Sequence, residues 1–304
     1  MSLLSLFLKP MQPLSRRTLL KYSSQAGAAA MVAGLVGCGS DDGSLTSTTD
    51  SSSDDSSSDD SDSSGDSYSG TEVTGDDADL SGDNSSVAWA EGGTDAMTLE
   101  YPNPFDLGYS STCDVTANLT EGPCYSDTVE REDISEGRDG LPARLCFRVL
   151  DSSCNPVEGV VVDIWHCDTA GIYSGDGMRS VNFCTGGDSE YTSNDFFRGT
   201  QTTDEDGVVW FNTCFPGWYS SRAVHIHFKL ILDGSTEVTS QVGFADSLVD
   251  DILTSQSDYS SRGEPDTYNS SDTVFPSSGY ESYLMDTYKM SDGSLLAWKQ
   301  VRVS

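Results

Sequence analysis

The sequence predicts an all-β protein, a two-sheet β-sandwich core with long loops and few short helices. Three observations carry that expectation. Short runs rich in β-branched and aromatic residues recur between turn signals, helical periodicity is scarce, and the connections between runs are long. No internal repeat is visible.

In chain order the strand-like runs are 144–150, 160–166, 208–214, 224–232, 238–244 and 295–303. Asp204-Glu205-Asp206-Gly207 forms a tight turn that feeds the third run, because Asp and Gly tolerate the backbone angles a turn needs. The plausible helix is short, over 246–254. The loops 169–200 and 255–292 are long enough to build a site or an oligomer contact on a β scaffold.

The first residues read as an export leader over 1–38. Ser15-Arg16-Arg17-Thr18-Leu19-Leu20-Lys21 is a twin-arginine pattern, followed by an apolar small-residue stretch that ends in Leu35-Val36-Gly37-Cys38. That ending resembles a lipobox and makes Cys38 the expected acylated residue. The apolar stretch falls short of the roughly 20 residues a membrane span needs. Membrane contact is therefore expected only through a lipid anchor at Cys38, with the protein exported to the cell envelope. Residues 39–95 are expected to be a disordered acidic tether. Ser, Asp, Gly and Thr dominate them, with 15 acidic residues between Asp41 and Glu91 and no Lys or Arg. Residues 96–304 are then one domain large enough for a real core. The chain carries a formal net charge of −33, and the part beyond Glu91 still holds 34 acidic against 12 basic residues. Nucleic acid is excluded as an expected partner on that charge, although a high-salt habitat explains it as readily.

Beyond Cys38 lie Cys113, Cys124, Cys146, Cys154, Cys167, Cys184 and Cys214. An exported chain should bridge some of them, and an odd number leaves at least one thiol free or paired between chains.

The chemistry concentrates in Phe215-Pro216-Gly217-Trp218-Tyr219-Ser220-Ser221-Arg222-Ala223-Val224-His225-Ile226-His227. On a strand, alternate residues share a face, so His225 and His227 point the same way and Ile226 and Phe228 point into the core. Two adjacent imidazoles are half of a metal site. A carboxylate would complete a ferrous two-His-one-carboxylate site. A third histidine would complete a zinc or copper site of the cupin sort, but only His166 is left, and it is read as structural. Trp165 and Cys167 are read as packing residues. Tyrosines are the remaining donors. Tyr219 precedes the histidine strand, Tyr173 lies in the Gly171-Ile172-Tyr173-Ser174 turn, and Tyr125 and Tyr191 are fallback ligands.

Taken together, Asp163-Ile164-Trp165-His166-Cys167-Asp168, Gly171-Ile172-Tyr173-Ser174, Phe197-Arg198-Gly199-Thr200-Gln201 and Pro216-Gly217-Trp218-Tyr219…Arg222…His225-Ile226-His227 resemble the intradiol ring-cleavage dioxygenases. Thr120-Glu121-Gly122-Pro123, Asp133-Ile134 and the segment around Asn269 extend the resemblance. It implies a non-haem Fe(III) enzyme held by Tyr173, Tyr219, His225 and His227. It also implies a catechol-type substrate opened with O2 to a muconate-type diacid. One of the two tyrosinates would leave the metal and accept a proton, and Tyr219 counts as catalytic together with Arg222, which would stabilise charge on the ring, and Gln241, which would assist it. Cys124 departs from the pattern, because the family commonly places an aromatic there. The competing expectation is an inactive sandwich that binds catechols or carbohydrate. No anchor for a substrate carboxylate is evident. The tether occupies the place where some relatives carry a helical dimerisation segment, so the sequence leaves oligomeric state open.

Overall fold

The computed structural model describes residues 77–110 and 112–303. The leader, Cys38 and the tether up to residue 76 lie outside the described residues. Eight strands are present among the described residues: β1 (Pro142–Leu150), β2 (Val161–Trp165), β3 (Arg198–Thr202), β4 (Val208–Cys214), β5 (His225–Leu232), β6 (Ser235–Gly243), β7 (Asp286–Lys289) and β8 (Leu295–Arg302). They form two four-stranded sheets, in the orders β4-β1-β8-β7 and β3-β2-β5-β6. Neighbours are antiparallel except β1 and β8.

The sandwich is held by alternation on the two inner faces. Leu145, Phe147 and Val149 of β1 bury against Val162, Ile164, Ile226, Phe228 and Leu230 of the second sheet. Phe147 and Phe228 meet across the sheets with ring centroids 5.8 Å apart. Fully burying side chains of this size contributes about 1.5–3 kcal/mol each, so this layer dominates stability. β5 and β6 join through Asp233-Gly234, both in left-handed backbone (φ 51° and 78°), the geometry a two-residue hairpin needs. Asp204-Glu205-Asp206-Gly207 is the expected turn, closed by Gly207 N–H to Asp204 O at 3.0 Å.

The expected strands and helix are all found, the helix spanning Asp246–Ser255 and burying Val249, Ile252 and Leu253. β3 and β7 were not read as strands. β3, Arg-Gly-Thr-Gln-Thr, is short and polar and lies at a sheet edge, as does β7, so neither has the apolar run that marks a strand. The two long loops carry short helices of their own, Val181–Cys184, Ser189–Ser193 and Ser257–Ser260.

Described residues ahead of position 96 already pack on the sandwich. Trp89 joins the main core, and its Nε1 donates to Asp251 Oδ2 at 2.8 Å. Asp77 accepts from Asn84 Nδ2 at 2.7 Å and from the Ser291 N–H at 2.9 Å. A single tryptophan and the buried Leu80 supply the apolar area that the acidic composition hides.

Two disulfides are present among the described residues, Cys113–Cys154 and Cys124–Cys184, and Cys146, Cys167 and Cys214 are free and buried.

Candidate metal centre

The outer face of the β3-β2-β5-β6 sheet carries one row of side chains across all four strands. Arg198 pairs with Trp165, Trp165 with His227, and His227 with Gln241. Trp165 lies flat against the His227 ring, centroids 4.9 Å apart and planes 9° from parallel. His225 stands beside it, with the two Nε2 atoms 3.1 Å apart. The His225 Nδ1–H donates to the Ala223 carbonyl at 2.6 Å, which makes Nε2 the acceptor nitrogen and turns its lone pair toward the centre. The His227 Nδ1 is buried without a hydrogen-bond partner. Gly122 packs over the same ring, where an added Cβ would lie 3.2 Å from His227 Cε1.

Both expected tyrosines arrive at this point from loops 46 residues apart in sequence. Tyr219 Oη lies 3.0 Å from His225 Nε2, and Tyr173 Oη lies 3.4 Å from Tyr219 Oη. The two loops are interlocked backbone to backbone. Gly217 N–H donates to Asp168 O at 3.0 Å. A Cβ on Gly217 would fall 2.3 Å from Thr169 O, and one on Gly171 (φ 79°) would fall 2.1 Å from Trp218 O. Only glycine permits either approach. Asp168 organises the turn by accepting from the Ala170 and Ile172 N–H groups, and Tyr191 donates to it at 2.7 Å. Tyr125 donates instead to Asp163 at 2.9 Å. The two fallback tyrosines are thus engaged with carboxylates and not with the histidines.

Behind Tyr173 sits an apparatus whose parts the sequence shows without their role. Arg198, fully buried, donates from Nε to Ser174 O at 2.8 Å and from Nη2 to Cys124 O at 2.7 Å. Tyr173 N–H donates to Cys184 O at 2.8 Å, and Cys184 is bonded to Cys124. The position that departs from the family pattern is therefore one end of a covalent strap, packed with Trp165 and Tyr173.

Arg222 touches both histidine and tyrosine, with Nη1 3.2 Å from His225 Nε2 and 3.5 Å from Tyr219 Oη. Its Nη2 donates to Gln241 Oε1, and Gln241 Nε2 donates to Thr120 O at 2.8 Å. Asp272, absent from the sequence reading, fixes the guanidinium through Nε at 3.0 Å and also accepts the Ala223 N–H at 2.7 Å. Burial alone would raise the Asp272 carboxyl, but Arg222 and three backbone N–H groups hold it below the usual carboxylate range. In so acidic a chain, no sequence signal separates this aspartate from the others.

Burial pushes Tyr173 well above the ordinary phenol and lifts Tyr219 to about 12, with Arg222 opposing the rise at Tyr219. Burial also pushes His225 down to about 3, helped by Arg222, and pushes His227 well down. Without a cation the four groups are two neutral phenols and two neutral imidazoles. A multivalent cation would turn the phenols into phenolates and use the free nitrogen lone pairs. Two anionic oxygens with two imidazoles suit a hard trivalent ion. Among the described residues no group of three or more His, Cys, Asp or Glu side chains gathers, so no carboxylate completes the site. The residues present fit iron(III).

His166 is structural, as expected. Its Nδ1–H donates to Cys167 O and its Nε2 accepts from Thr213 Oγ1, both at 2.7 Å. Burial depresses its pKa from 6.5 to about 4. The unfolded chain therefore binds a proton that the folded chain refuses, and this contribution to stability is lost as pH falls from about 6.5 toward 4. Relative to His166→Gln, which does not titrate, the protein should lose on the order of 3 kcal/mol between pH 7 and pH 4. Denaturant midpoints of both proteins across that range check it, and a constant difference would overturn it.

Residues 118–275 match the family described as dioxygenase, more than half of the chain, and the chain belongs to the intradiol ring-cleavage dioxygenase family. It is 28% identical over 151 residues to catechol 1,2-dioxygenase 1 of Acinetobacter lwoffii, covering 41% of this chain and 45% of that one. It is 25% identical over 180 residues to chlorocatechol 1,2-dioxygenase of Rhodococcus opacus, covering 48% and 65%. The chain thus spans about half the length of the curated relatives it matches. Among solved structures, the intradiol ring-cleavage dioxygenase from Tetranychus urticae superposes with a TM-score of 0.56 at 27% identity, covering 63% of this chain and 95% of that one.

Proposed function

We propose that this protein is a non-haem Fe(III) intradiol dioxygenase. It opens catechol-type rings between the two hydroxyls, incorporating both atoms of O2 into a muconate-type diacid. The observation that carries the reading is the convergence of Tyr173, Tyr219, His225 and His227 on one point, with Arg222 against two of them.

His225 and His227 would hold the metal as neutral donors, and Tyr173 and Tyr219 would hold it as phenolates. Bound ferric iron supplies Lewis acidity that favours the doubly deprotonated diol and draws electron density from its ring. Tyr219 is the residue placed to leave and take up a proton of the incoming diol at its Oη. It is less buried than Tyr173, and its Oη lies 3.0 Å from His225 Nε2 and 3.5 Å from Arg222 Nη1, so a proton held there would have polar neighbours. Arg222, held by Asp272, presents a fixed cation to charge developing on the ring, an effect worth about 3 kcal/mol in comparable sites. Gln241 orients Arg222 through its amide oxygen. Arg222 is already neutralised by Asp272, so an uncarboxylated catechol suits the site better than a carboxylated one. Export and lipid attachment at Cys38 belong to the same proposal and rest on the leader pattern alone.

The test is colour together with ring opening. Iron-loaded protein should show a visible phenolate-to-iron band and consume O2 with catechols. Tyr219→Phe should shift or bleach that band and lower turnover at least about a hundredfold, as loss of a proton acceptor does. A colourless iron-replete protein would refute the assignment. A protein that binds catechol without consuming O2 is the binding module instead.

A further inference from the structure

Gly171, Tyr173, Phe183, Cys184, Tyr219 and Ser220 line a cleft of about 130 Å³. Pockets for drug-sized ligands run to roughly 300–1,000 Å³. A cleft this small fits little more than the diol ring, so any larger substituent must pass the rim.

Phe183 stands on that rim. It is 69% exposed, the most exposed large apolar side chain among the described residues. Its backbone, however, is held on both sides. Cys184 N–H donates to Ser180 O at 3.0 Å, and Thr185 N–H donates to Val181 O at 2.8 Å. Cys184 is bonded to Cys124, and its carbonyl accepts the N–H of Tyr173 itself. An aromatic ring left in water yet fixed one residue from a covalent anchor of the tyrosine loop is not there for the core. Its place in the lining of the cleft, beside Tyr173 and Tyr219, rather than its exposure alone, makes it a contact for whatever the cleft holds.

We infer that Phe183 is a specificity-determining residue that stacks on the part of the substrate projecting beyond the diol ring, so that aryl-substituted catechols are bound in preference to catechol. This rests on the dioxygenase reading above. A flat, uncharged aryl group is the occupant the rim selects, because the chain's strongly negative charge disfavours anionic substituents.

Iron-loaded protein, titrated calorimetrically without O2, gives the test. The wild type should bind 3,4-dihydroxybiphenyl more tightly than catechol. Phe183→Ala should weaken the biphenyl diol by about two- to twelvefold, the range of a lost aromatic pair, and leave catechol binding nearly unaffected. Phe183→Tyr should restore the preference. With O2 the same pattern should appear in KM and leave kcat nearly unchanged. Equal loss for both diols, or none for either, overturns the role of Phe183 while the dioxygenase reading stands. A wild type that binds neither diol overturns both.

Discussion

His225→Ala should yield a folded protein with both disulfides that no longer retains iron. The side chain is buried, but it lies on the loop-covered outer face of the sheet, and Ile226 and Phe228 hold the strand from the inner face. Its removal deletes the one donor whose tautomer is fixed by a backbone carbonyl, at 2.6 Å, and which is also 3.0 Å from Tyr219 Oη. Losing groups that merely orient a metal ligand costs about 10–100-fold in affinity, so losing the ligand should exceed roughly 100-fold. Metal analysis after dialysis, with circular dichroism to confirm the fold, measures this. Full iron retention would mean that the metal, if any, is held elsewhere.

Breaking the strap behind Tyr173 should cost both stability and metal affinity. Cys124 and Cys184 are 60 residues apart in sequence, and closing a loop of that length removes roughly 4 kcal/mol of unfolded-state entropy. For a domain of this size that corresponds to a fall in Tm of about 8–16 °C. The double variant Cys124→Ala, Cys184→Ala should therefore melt lower. It should also hold iron less well, because Tyr173 N–H bonds to the Cys184 carbonyl and Arg198 bonds to the Cys124 carbonyl. The Cys113–Cys154 bridge spans a comparable 41 residues but ties the segment before Thr120 to the β1–β2 turn. Its removal should lower Tm by a similar amount and leave the visible band unchanged. An unchanged Tm for the Cys124 variant, or equal metal loss for both, would refute the distinction.

The parts of the site legible in the sequence are those governed by local rules. Alternation on a strand puts His225 and His227 on one face whatever the rest of the chain does, and β5 obeys it. The apolar runs of β1, β2, β4, β5, β6 and β8 are equally local, as is the amphipathic helix Asp246–Ser255. β3 and β7 escaped because edge strands need only one neighbour and carry polar side chains. The packing of residues 77–95 onto the sandwich escaped for a similar reason. Composition averages over a window, and one Trp89 bonded to Asp251 outweighs a run of serines and aspartates.

By itself, then, the sequence determined the sheet class, the histidine pair, the candidate tyrosines and the resemblance that links them. Long-range packing is what brings Tyr173, rather than Tyr125 or Tyr191, to Tyr219, sets Asp272 against Arg222 and ties Cys124 to Cys184. The physical reason is range. Strand periodicity is a property of neighbouring residues, whereas these contacts join segments that sequence separates by 46, 50 and 60 residues. Which of many tyrosines, aspartates and cysteines meet is chosen by how two sheets pack and how two glycines let their loops touch.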